Sequence, residues 1–216
     1  MSAAPSLRIV VIGAGGHAKV VIEAVRAQGG EVVGLIDPSP ATSSVLGVQI
    51  LGSDDVLQDL RCQGIDTAVV ALGDNPLRER LGRRIRELGF VLPNVVHPSA
   101  LLSPSARLGS GIVVMARAVV GSETAISDLA IINTAAIIDH DNEIGVAAHV
   151  APGCALAGNV RVGARALIGV GSAVRPGTRI GADTVVGAGS AVVADVPDRA
   201  TVGGVPARQL RQGHKV

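Results

Sequence analysis

Between Leu102 and Val192 an aliphatic residue returns at every sixth position. Leu102, Leu108, Val114, Val120, Ile126, Ile132, Ile138, Ile144, Val150, Leu156, Val162, Ile168, Val174, Ile180, Val186 and Val192 form sixteen slots in unbroken phase, each holding Leu, Ile or Val. So short a period marks a β-helix, in which every repeat adds one short strand to a solenoid. An amphipathic helix needs a period near 3.6 and tolerates glycine poorly. A sandwich needs hairpin turns and alternating faces. One aliphatic side chain per hexad is expected to point inward, stacked on copies about 4.8 Å above and below. Glycine follows the aliphatic residue at 109, 121, 145, 163, 169, 181 and 187. The expectation is that these glycines supply the positive φ of tight corners.

Composition agrees with a narrow interior. The chain is 48% hydrophobic yet has one Phe and no Trp or Tyr, so its core lacks the side chains that fill wide spaces. A net charge of +1 gives no electrostatic footprint for nucleic acid or an anionic membrane. No apolar run approaches about 20 residues, and no basic start leads into an apolar leader. A cytoplasmic protein with no nucleic-acid or membrane partner is expected. Cys62 and Cys154 have neither disulfide nor metal-site spacing and read as buried or idle thiols.

The first hundred residues alternate strands with helices, which implies βαβ units and a parallel sheet. LRIVVI (7–12), EVVGLI (31–36) and TAVVAL (67–72) read as buried strands. A helix follows the first, with Val20, Val21, Ala24 and Val25 on its inner side, and another runs over about 76–88. Three or four strands make a Rossmann-like half-domain. Gly13, Gly15 and Ala18 fit the loose GxGxxG/A fingerprint, in which small residues let backbone N–H groups approach a pyrophosphate. Gly16 and His17 open the following helix. Asp37 ends the second strand, where an acidic residue can bind a ribose hydroxyl. Gly73, Asp74 and Asn75 follow the third strand at the same carboxyl edge; Asp74 and Asn75 also suit a helix N-cap. These eight residues, Gly13, Gly15, Gly16, His17, Asp37, Gly73, Asp74 and Asn75, are the candidates for binding a nucleotide-linked substrate.

The chain resembles the sialic-acid O-acetyltransferase-like branch of hexapeptide-repeat acyltransferases. GAGGH at 13–17, NTAAIIDHD at 133–141, AGNVRVG at 157–163 and GVPAR at 204–208 carry the resemblance. It implies a left-handed parallel β-helix with three hexads per coil, about five coils in all. Residues 1–100 would form the α/β nucleotide-sugar domain, 101–195 the β-helix and 196–216 a tail contacting coenzyme A. It implies a homotrimer with active sites between subunits, acetyl-CoA as co-substrate and no metal. His140 would be the catalytic base and Asp141 its orienting partner, with Asp139 a rival. His140 follows the inward Ile138 by two places, so it belongs on the outer wall, and Gly158 lies one eighteen-residue coil further on. Asn133, His149, Gly158 and Val170 would line the acetyl-CoA site, and Arg208 would meet its phosphates. His97 and His214 match no motif and read as surface residues. The implied reaction is N-acetylation of a nucleotide-linked 4-amino-4,6-dideoxy sugar, GDP-perosamine before a UDP-linked bacillosamine precursor. A sialic-acid-type O-acetyltransferase is the nearest alternative. A γ-class carbonic anhydrase would need three zinc-binding histidines, an NAD oxidoreductase rests on the glycine loop alone, and an ice-binding solenoid would need a threonine array.

Overall fold

The computed structural model describes residues 7–210. The chain divides after Pro98 into two compact units.

In the first unit, β1 (Arg8–Ile12) lies beside β2 (Glu31–Ile36) in a five-stranded sheet of order β3-β4-β2-β1-β5. Between them α1 (Gly16–Ala27) buries Ala18, Val21, Ile22, Ala24 and Val25. Val20 points outward and Ile22 inward, a correction to the expected helix face. Ala18, Val21, Ile22 and Val25 follow the i, i+3, i+4, i+7 stripe that one face of an α-helix requires. The sequence reading passed over a hairpin of β3 (Ser44–Val45) and β4 (Val48–Gly52). Its two-residue turn is Leu46-Gly47, both at positive φ, the conformation that matches strand twist. Leu-Gly is a weak turn signal beside Asn-Gly, which is why the hairpin was illegible. A short helix, α2 (Leu57–Cys62), leads to β5 (Ala68–Val70). Then α3 (Asn75–Glu87) begins with Asp74 as N-cap, its Oδ1 accepting from the Leu77 N–H at 2.8 Å.

The second unit is a parallel β-helix. Two-residue strands pair with strands eighteen positions away: Val120 with Leu102 and Ile138, Ile126 with Leu108 and Ile144, Ile132 with Val114 and Val150. Three faces result. The first contains Leu101–Leu102, Val119–Val120, Ile137–Ile138, Ala155–Leu156, Ala173–Val174 and Ala191–Val192; the second runs from Arg107–Leu108 to Arg179–Ile180; the third runs from Val113–Val114 to Val185–Val186. On the third face Thr201–Gly203 adds in parallel, and Arg208–Gln209 folds back antiparallel. The hexad aliphatics from Val114 to Val192 are at most 3% exposed.

Two expectations about the hexad change. First, two residues per hexad face inward. The slot two before each aliphatic is also buried from Ile112 to Ser190, and it holds mostly small residues such as Ala118, Ala130, Ala148, Cys154 and Ser172. A triangular rung has little room near its corners, so small side chains fill them. Second, the glycines that follow the aliphatics are not the positive-φ residues. That conformation falls two positions later, at Arg117, Glu123, Ala135, Asp141, Asn159 and their equivalents. The glycines serve coil-to-coil packing: a Cβ at Gly145 would lie 2.5 Å from the Ala164 nitrogen, and one at Gly163 2.4 Å from the Ala182 nitrogen.

Candidate active site

His140 stands on the corner between the first and second faces, in the turn Asp139–Asn142. Asp141 takes the left-handed φ of 57° that each corner demands, which folds its carboxylate back toward the neighbouring ring. His140 Nδ1 and Asp141 Oδ2 are 2.7 Å apart, and both side chains are more than half exposed. Asp139 Oδ1 instead accepts the His140 backbone N–H at 2.8 Å. Asp141 is thus the ring's hydrogen-bond partner and Asp139 a neighbouring charge. The Asp141 hydrogen bond, then the Asp139 charge, raise the imidazole pKa above its ordinary 6.5. With Nδ1 occupied by Asp141, Nε2 is the nitrogen left to exchange a proton.

That nitrogen lies against Gly158. A Cβ on Gly158 would come within 2.5 Å of His140 Nε2 and Cε1. The recess that the missing side chain of Gly158 leaves is therefore occupied by the His140 ring itself. The Gly158 backbone N–H donates to no acceptor among the described residues, so it is available to a developing oxyanion.

Asn133 and His149 meet at a different corner, between the third and first faces. Asn133 Nδ2 is 3.0 Å from His149 Nε2, and Asn133 Oδ1 accepts the Thr134 N–H at 2.8 Å. The second bond orients the amide, so Nδ2 donates and His149 Nε2 accepts. Val170 is 55% exposed at this same corner. Within one chain the apolar first face separates the His140–Gly158 corner from the Asn133–His149–Val170 corner. Arg208 is exposed on the last, antiparallel strand, with Nη1 donating to the Ala207 carbonyl at 2.9 Å.

In the first unit the glycine loop closes on Asp37. Ala14 N–H donates to Asp37 Oδ2 and Ser39 N–H to Oδ1, each at 2.9 Å. Gly13 has φ of 106°, and a Cβ there would lie 2.9 Å from Leu72 Cδ2, so only glycine fits. Beside Gly15, Gly16 and Gly73 a Cβ would meet nothing within 4 Å; that edge is open. A cavity of about 480 Å³ adjoins the loop, lined among others by Gly13, Asp37, Pro38, Ser53, Leu72 and Leu77. The Asp74 carboxylate caps α3, and Asn75 is buried, its Oδ1 accepting from Arg78 Nη2 at 2.8 Å.

Sequence reasoning missed Arg78. It is 1% exposed, and its Nη1 also donates to the Leu72 carbonyl at 2.8 Å. Burial lowers its pKa to about 10, against the charge of Asp74. Burial, then the Arg78 charge, lower His17 to about 4, so His17 is neutral near pH 7. Nothing in the local sequence distinguishes Arg78 from the other arginines of α3. Cys154 is buried, its thiol donating to the Gly169 carbonyl at 3.0 Å, and Cys62 is exposed. His97 is half-buried, and His214 lies outside the described residues. Among the described residues no three His, Cys, Asp or Glu side chains cluster as a metal would require, and no helix is long and apolar enough to cross a membrane.

Residues 8–85 match the PglD N-terminal domain family. The crystal structure of PerB from Caulobacter crescentus, in complex with CoA and GDP-perosamine, superposes with a TM-score of 0.92 at 52% identity, covering 98% of this chain and 100% of that one. The acetyltransferase domain of PglB from Neisseria gonorrhoeae, in complex with acetyl coenzyme A, gives a TM-score of 0.90 at 40% identity over 95% of this chain and 100% of that one. UDP-N-acetylbacillosamine N-acetyltransferase of Bacillus subtilis is 36% identical over 110 residues, 50% of this chain and 51% of that protein. The chain spans at most about half the length of the curated relatives it matches. The solenoid is accordingly a left-handed parallel β-helix behind a Rossmann-like domain, and the chain belongs to the family of nucleotide 4-amino-sugar N-acetyltransferases in which PerB and PglB are found.

Proposed function

We propose that this protein transfers an acetyl group from acetyl-CoA to the 4-amino group of a nucleotide-linked dideoxy sugar, with GDP-perosamine as the favoured substrate. The observation that carries the reading is the His140–Asp141 pair, its imidazole set against Gly158, in a chain half identical to PerB over its whole length. UDP-linked 4-amino sugars are the second reading, supported by the likeness to PglB and to the Bacillus enzyme.

The sugar amine attacks the thioester carbonyl directly. His140 Nε2 accepts the amine proton as the C–N bond forms, and Asp141 steadies the imidazolium through Nδ1. The Gly158 N–H faces the carbonyl oxygen as it gains charge. The C–S bond then breaks, and the proton held by His140 passes to the departing thiolate. Neither cysteine takes part: one is buried in the core, the other sits on α2. In the first unit Gly15 and Gly16, at the start of α1, offer backbone N–H groups to the diphosphate. Asp37 retains acceptor capacity for a ribose hydroxyl, and the 480 Å³ cavity suits a nucleobase.

The assembly is a homotrimer. The first face of the solenoid turns apolar residues outward: Leu101 is 67% and Ile137 48% exposed, with Ala155 and Ala173 also open. A neighbouring copy covering this face would set its Asn133, His149 and Val170 across from His140, with coenzyme A between them. Arg208 meets the cofactor's phosphates.

The test is to incubate the protein with acetyl-CoA and either GDP-perosamine or a UDP-linked 4-amino sugar, and to follow thiol release. Release with GDP-perosamine at least tenfold faster than with the UDP sugar is expected. Equal rates with sialic acid, or no release with any amino sugar, overturn the reading.

A further inference from the structure

The corner that carries His140 is held from inside by a side chain that touches no reacting group. Asn142 is completely buried. Its Nδ2 lies 2.8 Å from the Asp139 carbonyl, 3.2 Å from the His140 carbonyl and 3.0 Å from the Ala157 carbonyl in the next coil. Its Oδ1 accepts the Val160 N–H at 3.1 Å. Three acceptors on one side and one donor on the other fix the amide's orientation, and two hydrogens are shared among three carbonyls. Thr124, one coil back, completes the knot. Its Oγ1 donates to the Asp139 carbonyl at 2.7 Å and accepts the Asn142 N–H at 3.3 Å.

The slot itself is informative. Asn142 occupies the second inward position of its hexad, where the equivalents are Ala, Cys, Ser, Thr, Val and a single Ile. An amide in that row costs desolvation unless every polar atom is satisfied, and here it is. The two carbonyls it grips in its own coil belong to the peptides on either side of the His140 α-carbon.

We propose that Asn142 is a positioning residue for His140: its amide clamps the backbone on both sides of that histidine and fixes where the imidazole stands against Gly158. The proposal rests on the acetyl-transfer reading for its catalytic consequence alone. Thr124 supplies the control. There a threonine hydroxyl donates to the carbonyl fifteen residues on and accepts from the N–H eighteen residues on. Threonine at 142 would make the corresponding bonds to Ala157 and Val160. It would keep the link to the next coil and lose the clamp on Asp139 and His140. Valine at 142 would lose both.

The experiment compares full-length wild type, Asn142→Thr and Asn142→Val in melting temperature, steady-state kinetics and NMR titration of the His140 imidazole. The charged groups facing that ring are Asp139 and Asp141; Ser122 and Gly158, its neighbours in the flanking coils, are uncharged. Asn142→Thr is expected to melt close to wild type, keep KM for acetyl-CoA and lose about ten- to a hundredfold in kcat, as displacement of a reacting group by a fraction of an ångström does. Its imidazole should titrate at lower pH as the Asp141 bond loosens. Asn142→Val should also melt lower. Wild-type kcat and titration in Asn142→Thr would overturn the proposal. So would a kcat that falls only in step with melting temperature while the titration stays fixed, because Asn142 would then be structural. The titration needs no substrate: if it moves while wild type transfers no acetyl group, the positioning role stands and the acetyl-transfer reading falls.

Discussion

The hydrogen bond from His140 to Asp141 sets both how basic the ring is and where its free nitrogen points. Because the folded pKa lies above 6.5, kcat/KM should rise with pH through a limb displaced to the alkaline side of an ordinary histidine. Asp141→Asn removes the larger cause and leaves Asp139, so the limb should move toward acid and the plateau should fall; a pH-rate profile checks both. The stability sign is opposite. A raised folded pKa favours the folded state below about 6.5 and loses that contribution as pH rises through the folded value, a small effect for so exposed a ring. His140→Ala should lower kcat by about 10²-fold or more if the imidazole is the base; unchanged turnover at saturating substrate would remove it from that role. Gly158→Ala tests the recess. The new methyl group must displace the imidazole, which is exposed and can swing away, so stability should change by under about 0.5 kcal/mol while turnover falls. Equal loss of melting temperature and turnover would refute that separation.

Among the elements, the loop between β1 and α1 depends on a residue distant in sequence. Asp37 accepts from Ala14 and Ser39, and loss of such charge-assisted bonds costs about 1.5–3 kcal/mol each. Asp37→Ala should weaken nucleotide-sugar binding by tenfold or more and leave acetyl-CoA binding unchanged, as calorimetry with each ligand alone would reveal; equal loss for both would point to general unfolding. The elements also mark what sequence could reach. The hexad gave the strand positions residue by residue, since each coil repeats one contact pattern eighteen residues on. His140 was legible through the motif NTAAIIDHD at 133–141 that carries the family resemblance, together with its place two residues beyond the inward Ile138. Asn142 breaks the hexad pattern on the inner wall, and the signal was available: an amide in a row of small residues. Arg78 was not legible, because long-range packing rather than local pattern determines its burial, and the Leu46-Gly47 turn was not, because Leu-Gly is a weak turn pair. The corner glycines were read for the wrong reason. Their spacing revealed a constraint, but only the stacked coils show that the constraint is contact and not φ.

For the molecule as a whole, the apolar first face is the feature that solitary solenoids cannot keep in water without cost. Ile137 is 48% exposed and adjoins the corner of His140. If this face is the seam of the proposed trimer, Ile137→Glu should prevent assembly and abolish turnover while leaving the coil's inner contacts intact. Sedimentation of the variant checks assembly, and far-ultraviolet circular dichroism checks fold. An active, trimeric variant would exclude this face as the seam between copies.

Strand pairing at a fixed offset of eighteen makes the solenoid behave as a screw thread of three steps per turn. Six residues inserted between Ser172 and Ala173 would keep every aliphatic in phase yet rotate all later rungs by one step, leaving His140 and Gly158 in register while carrying Arg208 round to another side. Eighteen residues at the same point would advance the end of the thread by one full turn without rotating it. Length changes in this protein are therefore tolerated or damaging according to their remainder on division by eighteen, and the two insertions, compared for coenzyme A affinity, would tell rotation from translation.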